Sequence, residues 1–312
     1  MGEIEVMDSK KKPMPKKGLT ITMIFEAQSL NYGESIGCIS SLKRMTRGDG
    51  ESYSYLSRQA LLYEIRREMG YDNSPLTLDS TVIQFAPDAT IDKYPEVDLF
   101  GYMKTQKPTK KRSAVVRVSN AISLESFNSD LEFLTNKGLL DRYNLANKGN
   151  EKGGGNIAQS EIHQSFYVYT VTIDLDKVGI DENYDIELDN SEKANRVTKL
   201  LETIKMFSRD INGRREFISP LFAIGGVYNK KNPFFENRVK LSNGNIVLAP
   251  ISSMMQLDDE IKNNTSAGII SGIFANEGDI KETIKTTVEM GVFFKDLIAK
   301  VKEYYTENTE NN

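Results

Sequence analysis

Leu19-Thr20-Ile21-Thr22-Met23-Ile24-Phe25 alternates apolar and polar residues, the period of a strand with one face on a core. The next clear periodicity is helical. From about Ser54 to Met69, Leu61, Leu62, Ile65 and Met69 form one apolar stripe, and Gly70 supplies the stop. Between the two runs a basic segment punctuated by glycine and serine, from Gln28 to Gln59, carries Lys43, Arg44 and Arg47, and Ser57, Arg58 and Gln59 open the helix. Cations are therefore gathered where the chain leaves a sheet and enters a helix. Arg58 stands at the N-terminal end of the apolar stripe, where an unpaired buried guanidinium would be costly. Two placements remain open: an ion pair with a carboxylate of the fold, or the exposed lip of the core, where it holds an anion beside the helix N-terminus.

Working outward, strand signals recur at Thr81–Phe85, Ala114–Val118 and most clearly at Phe166–Asp174. A second helix is predicted from about Ser191 to Arg209, with Ala194, Val197, Leu200, Leu201, Ile204 and Phe207 on one face and a stop near Gly213. Asn245–Ala249 reads as a further strand, Gly268–Phe274 as a short apolar run, and a capping box from Asp279 to Glu282 opens a last helix through Phe294, Leu297, Ile298 and Val301. Strand, helix, strand, helix, strand in this order predicts an α+β fold with a ferredoxin-like or RNA-recognition-motif-like core. Two long interruptions sit inside it, residues 71–164, which end in the glycine-rich run 148–156, and residues 219–243. Insertions of that size in a compact domain are usually functional.

With 312 residues and 39% hydrophobic content the chain has enough apolar sequence for a proper core. Cys38 and His163 are the single residues of their types, which excludes a disulfide framework within the chain and the usual cysteine or histidine zinc clusters; no cofactor is expected, and a cytoplasmic setting is. No apolar stretch is long enough to span a bilayer, and residues 1–16, with Lys10, Lys11, Lys12 and Lys16, read as a mobile basic tail. A net charge of -4 argues against coating nucleic acid by bulk charge, so any such role rests on local patches. Lys104 through Val118 contains no acid and carries Lys104, Lys107, Lys110, Lys111, Arg112 and Arg117, which suits either a solvated loop or a phosphate contact. Gly225-Gly226-Val227-Tyr228-Asn229-Lys230-Lys231-Asn232-Pro233-Phe234-Phe235 joins paired lysines to paired aromatics among turn formers. That composition suits single-stranded nucleic acid, or else a hairpin whose aromatics pack under their own loop.

Several chemistries are disfavoured. Gly149–Gly155 lacks the Gly-Lys-Ser/Thr ending of a phosphate-binding loop, and Gly48-Asp49-Gly50 has no third glycine at the right spacing. A Ser-His-Asp triad would have to use His163, which leads into a strand, and no compact Asp/Glu motif reads as a two-metal nuclease.

Ser57–Leu61, Val97–Met103, Lys111–Ser123 and Phe166–Gly179, in this order and spacing, resemble the crRNA-binding backbone subunits of type I CRISPR surveillance complexes, the Cas-seven family in its type I-B, DevR-like branch. The resemblance covers most of the chain from Lys17 to about Pro250. It implies a palm with a finger-like insertion and a thumb hairpin, copies stacked helically along one guide crRNA, other Cascade subunits as neighbours, target DNA engaged through guide pairing, and no membrane. By position it divides the chain into a tail (1–16), palm (17–70), finger (71–164), palm (165–218), thumb (219–243) and palm completion (244–312). Lys43, Arg44, Arg47, Arg58 and Gln59 would grip phosphates, Lys110, Lys111 and Arg112 would lie in the finger, and Lys230, Lys231, Phe234 and Phe235 in the thumb. Related type III subunits cut RNA with an aspartate after the first strand; residues 27–48 hold Glu34 but no Asp, which favours a non-catalytic scaffold. A metal-dependent nuclease using Glu34 or Asp49, and a stand-alone nucleic-acid-binding regulator, stay open beside it.

Overall fold

Along the strand Gly18–Gln28, Leu19, Ile21, Met23, Phe25 and Ala27 point into one core cluster, together with Leu61, Ile65 and Met69 of the helix Arg58–Met69. The opposite parity is buried as well. Ile24 enters a second cluster, and the polar Thr22 pairs its hydroxyl with that of Thr170 at 2.8 Å. In this computed structural model, which describes residues 15–33, 35, 37, 39–154 and 157–310, the strand is thus the centre of the molecule. The expected tail falls outside the described residues up to Met14, as do Glu34 and Cys38, whereas Pro15 is fixed: its carbonyl accepts from the Tyr304 hydroxyl at 2.8 Å.

Gly18–Gln28 pairs antiparallel with Gln164–Asp174 on one side and Phe222–Tyr228 on the other, and Gln164–Asp174 pairs antiparallel with Val116–Val118 and Ala121–Ser123. Numbering these strands along the chain, the spatial order is 4-1-3-2, with Arg58–Met69 and Asn190–Lys205 as the two intervening helices. That is the order of a ferredoxin-like β-α-β-β-α-β unit. The sheet grows to nine strands through Ser266–Ile269 and Thr287–Glu289 at one edge and the hairpin of Arg44–Thr46 with Ser52–Leu56 at the other. Both helices and the closing helix Met290–Glu310 contribute to the first cluster. The first helix needs little else: Ser57 caps its start, Gly70 ends it in the left-handed conformation (φ 67°), and Arg66 and Arg67 sit in its last turn, where the macrodipole favours cations. Each of its three buried apolar side chains contributes about 1.5–3 kcal/mol.

Several boundaries differ from expectation. The first helix starts at Arg58, because 52–56 are drawn into strand pairing with Arg44–Thr46 and with Ala121–Ile122. The second ends at Lys205, and Gly213 is a hairpin turn instead: Asn212 and Gly213 are both left-handed (φ 49° and 74°), as a primed two-residue turn between Ser208–Ile211 and Arg214–Phe217 requires. Asn243-Gly244 makes the same kind of turn, so only Asn245–Ile246 is strand and Ala249 begins a short helix. The expected capping box, Asp279 to Glu282, lies inside a separate helix, Glu277–Thr283; the strand Thr287–Glu289 intervenes before the closing helix.

Residues 219–243 do not form a free hairpin. Phe222–Tyr228 is the fourth core strand, and Gly225 and Gly226 are there for close approach: a Cβ on them would meet Thr20 O at 2.0 Å and Asn264 O at 1.9 Å. The other insertion, 71–164, is two bodies. Residues 76–112 carry two small hairpins around a third cluster of Ala89, Ile91, Val97 and Tyr102. Residues 130–162 form a separate hairpin, Asp130–Thr135 with Ile157–Ile162, bridged by the helix Lys137–Ala146. Asp98 ties the first body to Gly179 and to the second core helix. Fully buried, it accepts from Arg112 Nη2 (2.6 Å), Arg196 Nη1 (2.9 Å) and the Gly179 amide (2.9 Å).

Candidate nucleic-acid interface

The junction after the first strand is built by backbone pairing, which gathers residues distant in sequence. Lys43 donates its amide to Asn31 O (2.8 Å), and its own carbonyl accepts from Tyr55 N (3.0 Å). Asn31 Nδ2 reaches the capping hydroxyl of Ser57 at 3.5 Å, and the Arg58 amide, first of the helix, donates to Asn120 Oδ1 at 2.8 Å. Lys43, Arg58 and Gln59 thus flank one helix N-terminus. The Arg58 and Gln59 side chains are exposed, and no carboxylate among the described residues pairs with Lys43 or Arg58. Of the two placements open to Arg58, the structure has the exposed lip.

Arg44 and Arg47 project from the adjoining hairpin, each braced on an aromatic ring. Arg44, itself exposed, lies 4.7 Å from the centroid of Phe127 and 3.4 Å from buried Glu161; Arg47 lies 4.5 Å over Tyr53. Beside it Asp49 accepts from Tyr53 Oη at 2.6 Å, a hydrogen bond that holds the carboxyl below its usual range and raises the phenol. At the root of the projecting hairpin, buried His163 contacts Ser54 Oγ through Nδ1 at 2.7 Å, and burial lowers its pKa against the pull of Glu125. Asn31, Asn120, Phe127 and Glu161 are not singled out by pattern, although Asn31 lies within the basic segment 28–59 and Asn120 within 111–123. Nothing in their spacing marks them, because strand register alone brings them here.

The remaining cations divide by strand parity. Along Lys110–Arg112, Lys111 points outward, while Lys110 lies 3.5 Å over the Tyr184 ring. Arg112 is an internal ion-pair partner rather than a phosphate ligand: beyond Asp98 it donates to the carbonyls of Ile180 and Lys177. Lys104 is also buried, donating to Ala89 O at 2.8 Å, and Arg117 is paired with Asp174. The acid-free run is therefore not one patch.

Lys230, Lys231, Phe234 and Phe235 need the same correction. Lys230 pairs with Asp258 at 2.7 Å and Lys231 with Asp176, so the lysines meet acids from elsewhere in the fold. Phe235 is 0% exposed in the second cluster, and nearly buried Phe234 packs edge-on to Tyr228 at 4.9 Å. Neither ring offers a face to a base.

Two sets of exposed apolar side chains stand on the insertion. One is Leu76, Leu78, Val82, Ile83 and Met103 on its first body; the other is Phe133, Leu134, Leu139, Leu145 and Ile157 on the projecting hairpin and its helix.

Residues 19–244 match the family described as CRISPR-associated negative auto-regulator DevR/Csa2. The chain belongs to that family. The chain also shares its fold with solved structures. A chain described as "CRISPR RNA-guided surveillance complex, pre-nicking" superposes with a TM-score of 0.63 at 13% identity, covering 91% of this chain and 100% of that one. Another, described as "CRISPR RNA-guided surveillance complex", gives 0.57 at 13% identity, with 91% and 99% covered. No curated protein matches the sequence. Among the described residues no group of three or more His, Cys, Asp and Glu side chains converges as a metal site, and no helix is long and apolar enough to cross a membrane.

Proposed function

We propose that this DevR/Csa2-family chain is a non-catalytic backbone subunit that binds guide crRNA in the cytoplasm as part of a type I surveillance complex and supports pairing with target DNA. The observation that carries the reading is the junction. Arg58 and Gln59 at an exposed helix N-terminus, with Lys43 beside them and Arg44 and Arg47 on the neighbouring hairpin, present cations to a phosphate backbone without a reading head for bases. Lys111 extends the grip. The family and the RNA-guided complexes that share the fold support the same conclusion.

In this reading residues 76–112 are the finger and the projecting hairpin 130–162 is the thumb, replacing the segment 219–243. The two exposed apolar surfaces lie on different bodies, which suits a head-to-tail contact that repeats along the guide. The test is light scattering of the protein with guides of increasing length. Mass should rise stepwise with RNA length. Replacing residues 133–159 by Asn-Gly, between the register partners Glu132 and Ser160, should keep RNA binding but abolish the steps. A wild-type protein that stays monomeric on every guide refutes the scaffold.

A further inference from the structure

At the junction end of the first strand, a cleft of about 520 Å³ opens between that strand and the hairpin of Ser208–Ile211 with Arg214–Phe217. Its walls include Glu26, Gln28, Gln164, Arg215 and Phe217. None of these belongs to the phosphate grip. The hairpin is two-faced by its period. Arg209 and Glu216, opposite each other, turn inward and pair at 2.8 Å, and Glu216 also accepts from the Gln28 amide at 2.7 Å, which fixes the hairpin against the first strand. Arg215 and Phe217 share the outward face. Phe217 is 60% exposed, and Arg215 donates to Ser208 Oγ at 3.2 Å with no carboxylate partner among the described residues. Across the cleft, Gln164 Nε2 donates to Glu26 Oε1 at 2.8 Å, and both side chains are exposed.

We infer that this cleft takes one nucleotide of single-stranded RNA, its base stacked on Phe217 and its phosphate at Arg215. Every base has a π-face, so such a stack is sequence-tolerant and suits a protein that must accept any guide. The inference rests on the RNA-binding reading, and it adds a base contact that the junction lacks.

The chain contains no tryptophan, so Phe217→Trp installs a sole indole in the cleft. Titration of that variant with fluorescein-free oligouridine and oligoadenine RNA should quench the indole in step with binding followed by filter retention. Phe217→Ala should weaken binding about tenfold, the scale of one lost base-aromatic stack, while Phe217→Tyr restores it. Arg215→Ala should reduce the quench at a given RNA concentration. If wild-type protein binds no RNA, the scaffold reading fails with the inference. If wild-type binds and the indole is unmoved at saturation, with Phe217→Leu binding as wild type, the cleft is not a nucleotide site; an indole that answers only to a second protein molecule likewise overturns it.

Discussion

The junction cations are not equivalent, and the difference is measurable. Lys43 and Arg58 have no carboxylate partner among the described residues, so a phosphate that meets them displaces only water and counterions. Arg44 must first give up Glu161 at 3.4 Å, and Arg47 stands beside an Asp49 kept ionised by the Tyr53 hydroxyl. On single strands each neutralised phosphate contributes about 0.7 to the slope of log affinity against log salt, so Lys43→Ala with Arg58→Ala should flatten that slope by about 1.4. Over a fourfold rise in salt the wild type should then lose about sevenfold more affinity than the double variant. Arg44→Ala with Arg47→Ala should flatten it less, because part of their charge is already matched within the protein. The assay is fluorescence anisotropy of one labelled guide over a salt series, repeated with an unrelated spacer, and thermal melts should be unchanged for the first pair. Equal slopes for wild type and the Lys43/Arg58 variant, or a larger effect from Arg44/Arg47, would refute the assignment of free and matched cations.

Two further outcomes follow from buried groups. Asp98→Asn leaves Arg112 and Arg196 facing each other without their carboxylate and should lower stability by about 3–5 kcal/mol in urea unfolding; a loss below about 1 kcal/mol would mean that the network relaxes around water. His163 has a folded pKa below its ordinary 6.5, so the unfolded chain takes up the proton first. Its contribution to stability is complete above 6.5 and declines as pH falls from there toward the folded value, by at most about 1.4 kcal/mol per pH unit. His163→Gln should flatten the melting temperature across that window, and an unchanged pH profile would show that another group governs it.

The core was readable because it obeys short-range rules. The 19–25 and 166–174 periodicities, the Leu61-Ile65-Met69 stripe and the Gly70 stop depend on neighbours within a few residues, and the structure has each of them. The errors arose where two local signals competed. Gly213 is a plausible helix stop, but preceded by Asn212 it is a stronger hairpin turn, and the hairpin it makes carries Arg215 and Phe217. Gly225-Gly226 looked like turn chemistry and is instead a strand passing two backbones too closely for any side chain.

Charge was the harder problem, because a cation's role depends on what faces it. Arg58 and Arg112 look alike in sequence, yet one is exposed at a helix start and the other is locked to a carboxylate. The distinction has a local trace after all. Asp98 lies between Val97 and Leu99 in a short helix buried along four of its five residues, and a carboxylate held there must have cationic partners. An acid obliged in this way claims its cations ahead of any ligand, and Arg112 is one of them. Lys231 escapes that reasoning, since Asp174 ends a strand and Asp176 follows it, positions where an acid is ordinarily solvated. Its pairing comes from the approach of Lys231 to Gly18 at the start of the central strand, a contact decided by the antiparallel register of Gly18 with both Asp174 and Tyr228. A cation beside a core strand is therefore assignable only after the strand order is known, whereas one at a helix start, like Arg58, is assignable from the helix alone.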